Sequence, residues 1–179
     1  MVIEMGNKKE NPMRQVRIAK VAVNMAVGQS GEKLEKAVKV LEELTGQKPS
    51  RRKAKKTIRD FGIRKGENIA CMVTLRKGRA REFLEKALAA VGNRIKLSSF
   101  DKNANISFGI KEHLDIPGTK YDPNIGIYGM DVTIVFEKPG YRVMRRRRRR
   151  SKVGKNHLVK VEEALDFLKR EFEVEVVGG

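Results

Sequence analysis

The chain has 179 residues, 40% hydrophobic and 35% charged, with no tryptophan and one cysteine. That length suits a single domain over residues 1–179 and excludes a large multidomain enzyme, while one thiol, Cys71, excludes an internal disulfide or a cysteine-based metal cluster. Forty basic against 22 acidic side chains leave a formal charge of +18, an excess that repels itself unless a polyanion is bound.

Residues 1–14, with Pro12 and no periodicity, read as an irregular arm. Residues 17–27 alternate, with Val21, Val23, Met25 and Val27 on one face and Ala22, Asn24 and Ala26 on the other, which predicts a strand. Ser30 is placed to cap a helix whose stripe is Leu34, Ala37, Val38, Leu41 and Leu44, ending before Gly46. A strand is expected over 53–58, running into a turn at 61–66. Residues 69–76 alternate again, with Ile69, Cys71, Val73 and Leu75 opposite Ala70, Met72, Thr74 and Arg76. A second helix follows over 79–91, burying Phe83, Leu84, Ala87, Leu88 and Val91 and stopping at Gly92.

Strands are then expected at 106–110 and 130–136, separated by residues 111–129. The density of Pro, Gly and Asp there argues against a regular element, and a loop of that length is either functional or disordered. A helix over 160–172, with Val161, Leu165, Leu168 and Phe172 as its stripe, and a short strand at 174–177 close the chain. Strands and helices interleave without regular βαβ alternation, which favours an α+β two-layer sandwich.

The charge has an address. Residues 48–65 carry nine basic side chains against Asp60, and residues 141–160 carry ten with no acid. The other 141 residues hold 21 basic and 21 acidic groups and are neutral. A single charge run is often a solvated loop. Two runs on a neutral body, one with six consecutive arginines whose guanidinium forks suit phosphate oxygens, point to nucleic acid. If helices cover the apolar strand face, the opposite face offers Asn24 and Thr74 among small side chains. That face suits either plain solvation or close approach of an RNA backbone, and the charge map favours the latter.

Catalytic chemistry is poorly represented. His113 and His157 are isolated, Cys71 falls on the apolar strand face as a buried structural cysteine, and Asp115, Asp122 and Asp131 lack metal-ligand spacing. No phosphate-binding glycine motif occurs, so neither enzyme, cofactor nor metal is expected. No aromatic lies on the strand at 69–76 for base stacking, and acidic residues dilute the first helix, which leaves structured RNA read by backbone and shape. No stretch approaches the roughly 20 apolar residues of a membrane span, so no membrane partner and a cytoplasmic location are expected.

The motifs Val23-Asn24-Met25-Ala26-Val27-Gly28, Lys53-Ala54-Lys55, Arg64-Lys65-Gly66, Val73-Thr74-Leu75-Arg76, Asp115-Ile116-Pro117-Gly118, Tyr121-Asp122-Pro123 and Pro139-Gly140-Tyr141-Arg142 occur in order. Together they resemble the archaeal branch of the large-subunit ribosomal protein five family. The resemblance runs from Asn11 to the C-terminus, and it implies helices on one face of an antiparallel sheet. It also implies a structural role: binding 5S rRNA and attaching it to large-subunit rRNA in the central protuberance, beside neighbouring ribosomal proteins.

On matching positions, Asn24, Gln47, Phe61 and Thr74 look like the family's 5S rRNA contacts. Arg51, Arg52, Lys53, Lys55, Lys56, Thr57 and Arg76 are expected to join them. Arg142, Arg145, Arg146, Arg147, Arg148, Arg149, Arg150 and Lys152, in an extension over 141–157, are expected on rRNA. The loop 111–129 resembles the element that reaches P-site tRNA, with Lys111, His113, Pro117, Gly118, Lys120 and Tyr121 as its contacts. Ser50 and Arg52 depart from the family pattern. So do Lys160 and Val161, which replace a threonine-lysine pair and remove a hydroxyl cap worth about 1 kcal/mol. The basic runs alone would equally suit a general architectural nucleic-acid-binding protein.

Overall fold

In the computed structural model, residues 11–178 are described; most of the expected arm lies outside them. Its last part, Pro12–Arg14, is a 3-10 turn in which the Asn11 side chain accepts the Met13 N–H. Strand β1 (Arg17–Ala26) then occupies the centre of a five-stranded antiparallel sheet of order β2-β3-β1-β6-β5. The partners are β2 (Ser50–Lys53), β3 (Asn68–Leu75), β5 (Ile106–Ile110) and β6 (Met130–Glu137). Alternation places Val21, Val23, Met25, Cys71, Val73, Leu75, Val132 and Ile134 on one face, each at most 2% exposed.

Two amphipathic helices cover that face. Helix α1 (Glu32–Thr45) buries Leu34, Ala37, Val40 and Leu41, and α2 (Lys77–Ala90) buries Ala80, Phe83, Leu84, Ala87 and Leu88. Each fully buried Leu or Phe contributes about 1.5–3 kcal/mol relative to exposure. Helix α1 ends at Gly46, whose φ of +60° places it in the left-handed region that lets its N–H reach the Glu42 carbonyl. The α+β, two-layer, mostly antiparallel expectation holds, with helices on one sheet face.

Four local expectations are corrected. Ser30 does not cap α1: Gly31 occupies the cap, and the Ser30 hydroxyl instead donates to Glu67 across the sheet end. The strand expected over 53–58 lies earlier, at Ser50–Lys53. It is an edge strand held through its backbone to β3, so it needs no apolar alternation to announce it. A further strand, β4 (Arg94–Lys96), pairs in parallel with β7 (Glu175–Val177), a contact between distant segments that local periodicity cannot signal. Within 111–129, His113–Asp115 forms a 3-10 turn.

A four-residue helical turn, α3 (Arg142–Arg145), opens the arginine-rich extension, and α4 (Val161–Phe172) packs Ala164 and Leu168 into the same core. The missing hydroxyl at Lys160 is partly offset: Glu163 Oε2 accepts the Lys160 N–H at 3.0 Å. Cys71 is buried as expected, and burial pushes its thiol up to about 11.

Candidate nucleic-acid interface

Directly opposed residues of an antiparallel sheet share a face, so the register writes out the side that α1 and α2 leave uncovered. One row reads Ser50, Met72, Asn24, Asp131, Gly109; the next reads Thr74, Ala22, Thr133, Ser107; a third reads Arg52, Ala70, Ala26. The Ser107 and Thr133 hydroxyls hydrogen-bond at 3.0 Å. Apart from Met72, Asp131 and Arg52, small side chains and short hydrogen-bonding groups pave the surface, which suits close approach of a nucleic-acid backbone. Asn24 and Thr74 lie there, and Arg76 follows Thr74 in extended conformation at the sheet's end.

Beyond the Ala26 end, residues 54–66 fold into a hairpin. Ile58 and Ile63 exchange backbone hydrogen bonds of 2.9 and 3.1 Å, and Gly62, at φ +66°, makes the tip. Ala54 is buried and bonds through its N–H to the Glu67 carbonyl and through its oxygen to the Gly66 N–H. Thr57 Oγ1 accepts the Lys65 N–H, so Thr57 shapes the hairpin itself. The Ser30 hydroxyl and the Arg64 N–H both donate to Glu67 and hold its carboxyl below the usual range. This frame leaves Lys53, Lys55 and Lys56 exposed, with Phe61 72% exposed at the tip. Gln47 is exposed just after α1.

The two arginines of β2 diverge. Arg52 lies on the uncovered face, its Nη2 3.8 Å from Met72 Sδ. Arg51, opposite Cys71, turns to the helical side and pairs with Glu35 at 2.7 Å. The structure thus separates two residues that sequence reasoning grouped.

The arginine extension leaves from the other end of the sheet. Its base is tied repeatedly to the body. Tyr141 Oη accepts the Val159 N–H at 3.2 Å, His157 Nε2 donates to the Pro139 carbonyl at 2.7 Å, and the buried Lys138 ammonium meets Glu163 at 2.7 Å. Arg145 pairs with the buried carboxylate of Glu137, which also takes Arg17 at 2.8 Å. Arg146 Nε donates to the Arg149 carbonyl at 2.8 Å, and Ser151 N–H reaches the Val143 carbonyl, so the run turns back on itself. Arg142, Arg147, Arg148, Arg149, Arg150 and Lys152 have exposed side chains. Among the described residues, none of these six forms an ion pair with a carboxylate.

Loop 111–129 leaves the sheet at the hairpin's end, beside the Gly109–Asp131 pair. It is built around His113, which is 3% exposed: His113 N–H donates to the Tyr128 carbonyl at 2.9 Å, and its Nδ1 accepts the Tyr128 N–H at 3.2 Å. Burial holds this imidazole below its usual pKa. Tyr128 Oη donates to the Lys33 carbonyl of α1. A cavity of about 210 Å³ lies between the loop and α1, bordered by Val40, Leu44 and Ile125. His113 thus points inward, whereas Lys111, Pro117, Gly118, Lys120 and Tyr121 are exposed.

Sequence reasoning missed Lys20, which shares the uncovered face with Ala22, and Arg17. Extending the alternation of Ala22, Asn24 and Ala26 by one step finds Lys20. No short-range signal finds Arg17, because its partner Glu137 is 120 residues away.

The family described as "Ribosomal protein L5" matches residues 11–64, and the C-terminal model of the same ribosomal family matches residues 68–167. The chain is 58% identical over 170 residues to "Large ribosomal subunit protein uL5" of Sulfurisphaera tokodaii, covering 94% of this chain and 96% of that protein. It is 59% identical to the protein of the same name from Pyrobaculum aerophilum, over 94% of each chain. The Methanococcus vannielii protein of that name is 51% identical over 94% of this chain and 95% of its own length. With both parts of the pattern in order and identities above one half across nearly its full length, the chain belongs to the ribosomal protein L5 family.

Proposed function

We propose that this protein, a structural constituent of the large ribosomal subunit in the cytoplasm and not an enzyme, binds 5S rRNA. It would hold that RNA to large-subunit rRNA in the central protuberance, beside neighbouring ribosomal proteins. One observation carries the reading: a polar, small-residue sheet face left bare between two basic segments. Phosphate contacts from the hairpin (Lys53, Lys55, Lys56) and the extension (Arg146, Arg147, Arg148, Arg149, Arg150, Lys152) supply affinity. Asn24, Thr74, Gln47 and Phe61, with Arg52 and Arg76, supply fit. Residues 111–129 project Lys120 and Tyr121 from the same body toward P-site tRNA.

The test is competition. At physiological salt, unlabelled 5S rRNA displaces labelled 5S rRNA, whereas equal masses of bulk DNA or unrelated duplex RNA do not. Equal displacement by all three would instead make the protein a general architectural binder. Deleting residues 117–124 preserves 5S rRNA binding and weakens the footprint of P-site tRNA on reconstituted subunits; loss of 5S rRNA binding would show that the loop is misassigned.

A further inference from the structure

We propose that Arg17 and Arg145 form one phosphate clamp, positioned by the buried Glu137 carboxylate, for a single backbone phosphodiester of ribosomal RNA. This rests on the RNA-binding reading above and extends it to Arg17, which belongs to neither basic run. Arg17 opens β1 directly opposite Glu137, and along β6 Glu137 alternates onto the same uncovered face as Asp131, Thr133 and Val135. The clamp therefore lies at the end of the candidate RNA surface where the extension begins.

The geometry is asymmetric in burial. The Glu137 side chain is 7% exposed, but Arg17 and Arg145 are 58% and 55% exposed. Arg17 donates Nε and Nη2 to Oε1, at 3.1 and 2.8 Å, while Arg145 Nη2 makes an ion-pair contact with Oε2, which accepts no hydrogen bond among the described residues. A guanidinium has five N–H donors, so each keeps most of its donors for solvent or a ligand. One carboxylate neutralises one cation; the second leaves the triad at +1. Two guanidiniums fixed on the two oxygens of one carboxylate are also forced to be neighbours. Their mutual repulsion is relieved by an anion that takes donors from both, and a phosphodiester with two free oxygens has the matching fork. Glu137 is thus a positioning residue: it spends its own charge underneath to hold two donor sets on top.

The test uses the full chain in filter binding against 5S rRNA and, separately, large-subunit rRNA across a salt series. Arg17→Ala and Arg145→Ala should each flatten the plot of log affinity against log salt by about 0.9 on the same one of these RNAs. The double variant should lose about the same 0.9 rather than twice that, because one phosphate is involved. Glu137→Gln raises the net charge by one, so simple attraction would tighten binding; the clamp requires it to weaken binding by about threefold to tenfold. Arg17→Lys keeps the charge and should keep the slope while weakening binding, which preserves a readout if Glu137→Gln melts near the assay temperature. Unchanged binding by Arg17→Ala, tighter binding by Glu137→Gln, or an additive double variant would each overturn the clamp. Failure of the wild-type chain to bind either RNA would instead remove the reading on which it rests.

Discussion

Lys138 Nζ lies 2.7 Å from Glu163 Oε1, joining the end of β6 to the first turn of α4 across the whole arginine extension. The ammonium is buried, its side chain 5% exposed, and the carboxylate is 39% exposed. Glu163 also accepts the Lys160 N–H, so one side chain both caps a helix and neutralises a buried cation. Removing it leaves Lys138 uncompensated. Glu163→Gln is expected to cost roughly 2 kcal/mol, between the values for exposed and buried pairs, read as a lower denaturant midpoint at pH 7. Burial disfavours the Glu163 charge, but the hydrogen bonds from Lys138 and Lys160 outweigh it and hold the carboxyl below its usual pKa. A depressed acid stabilises the fold above its unfolded pKa. The difference between wild type and Glu163→Gln should therefore shrink as pH falls below about 4.3, and a constant difference down to pH 2 would contradict the pairing.

His113 gives the opposite chemistry and a higher window. Burial lowers its pKa, against weaker opposing effects from nearby Glu112 and Glu43. The unfolded chain then binds the proton more readily than the folded one. Stability is complete above about pH 6.5 and falls as pH drops from there toward the folded pKa. His113→Gln should remove this part of the pH dependence between pH 7.5 and 5 in thermal melts. The imidazole resonances of the wild type should titrate below those of a model peptide.

Gly129 closes the long loop where two chain segments nearly touch. A Cβ there would stand 2.9 Å from the Lys111 carbonyl oxygen and 3.3 Å from that of Ile110, both backbone atoms with little freedom to move. Gly129→Ala is expected to cost about 1–3 kcal/mol and to speed hydrogen exchange at the His113 amide, which bonds to Tyr128 next door. Gly126→Ala, with φ +86° but open space around it, should show the smaller cost of a positive φ alone.

The extension and the sheet face should separate affinity from fit. Replacing Arg146, Arg147, Arg148, Arg149 and Arg150 by serine should flatten the salt dependence of 5S or large-subunit rRNA binding by up to about 4.5, one phosphate for each side chain. Asn24→Ala should leave the slope nearly unchanged and reduce the preference for 5S rRNA over unrelated duplex RNA. The comparison is made by filter binding at several salt concentrations.

How far these features could be read in the sequence depended on distance along the chain. Alternation in β1, β3 and β6 reports which side chains meet the core, because neighbours in a strand point to opposite faces whatever lies beyond them. The helical stripes were legible for the same reason, although Val40 took a buried place while Val38 and Leu44 are only partly buried. Three other contacts join segments that no local pattern relates: Ser30 to Glu67, Arg51 to Glu35, and Arg17 to Glu137. For the site, the charge map located both basic segments, yet it could not tell Arg51 from Arg52, because which face of an exposed edge strand each occupies is set by register with β3. Nor could it show that His113 supports its loop from inside.

The hairpin and the arginine extension leave from opposite ends of β1, a ten-residue strand about 30 Å long. On the proposed RNA-binding reading, a sheet with a basic segment at each end would make this small protein bivalent toward a polyanion long enough to reach both. When one end lets go, the other holds the ligand at a high effective concentration, and rebinding competes with escape. Residence on the RNA then depends on the product of two modest grips. Loss of either anchor should speed dissociation and, because each carries a large share of the positive charge, also slow arrival at low salt.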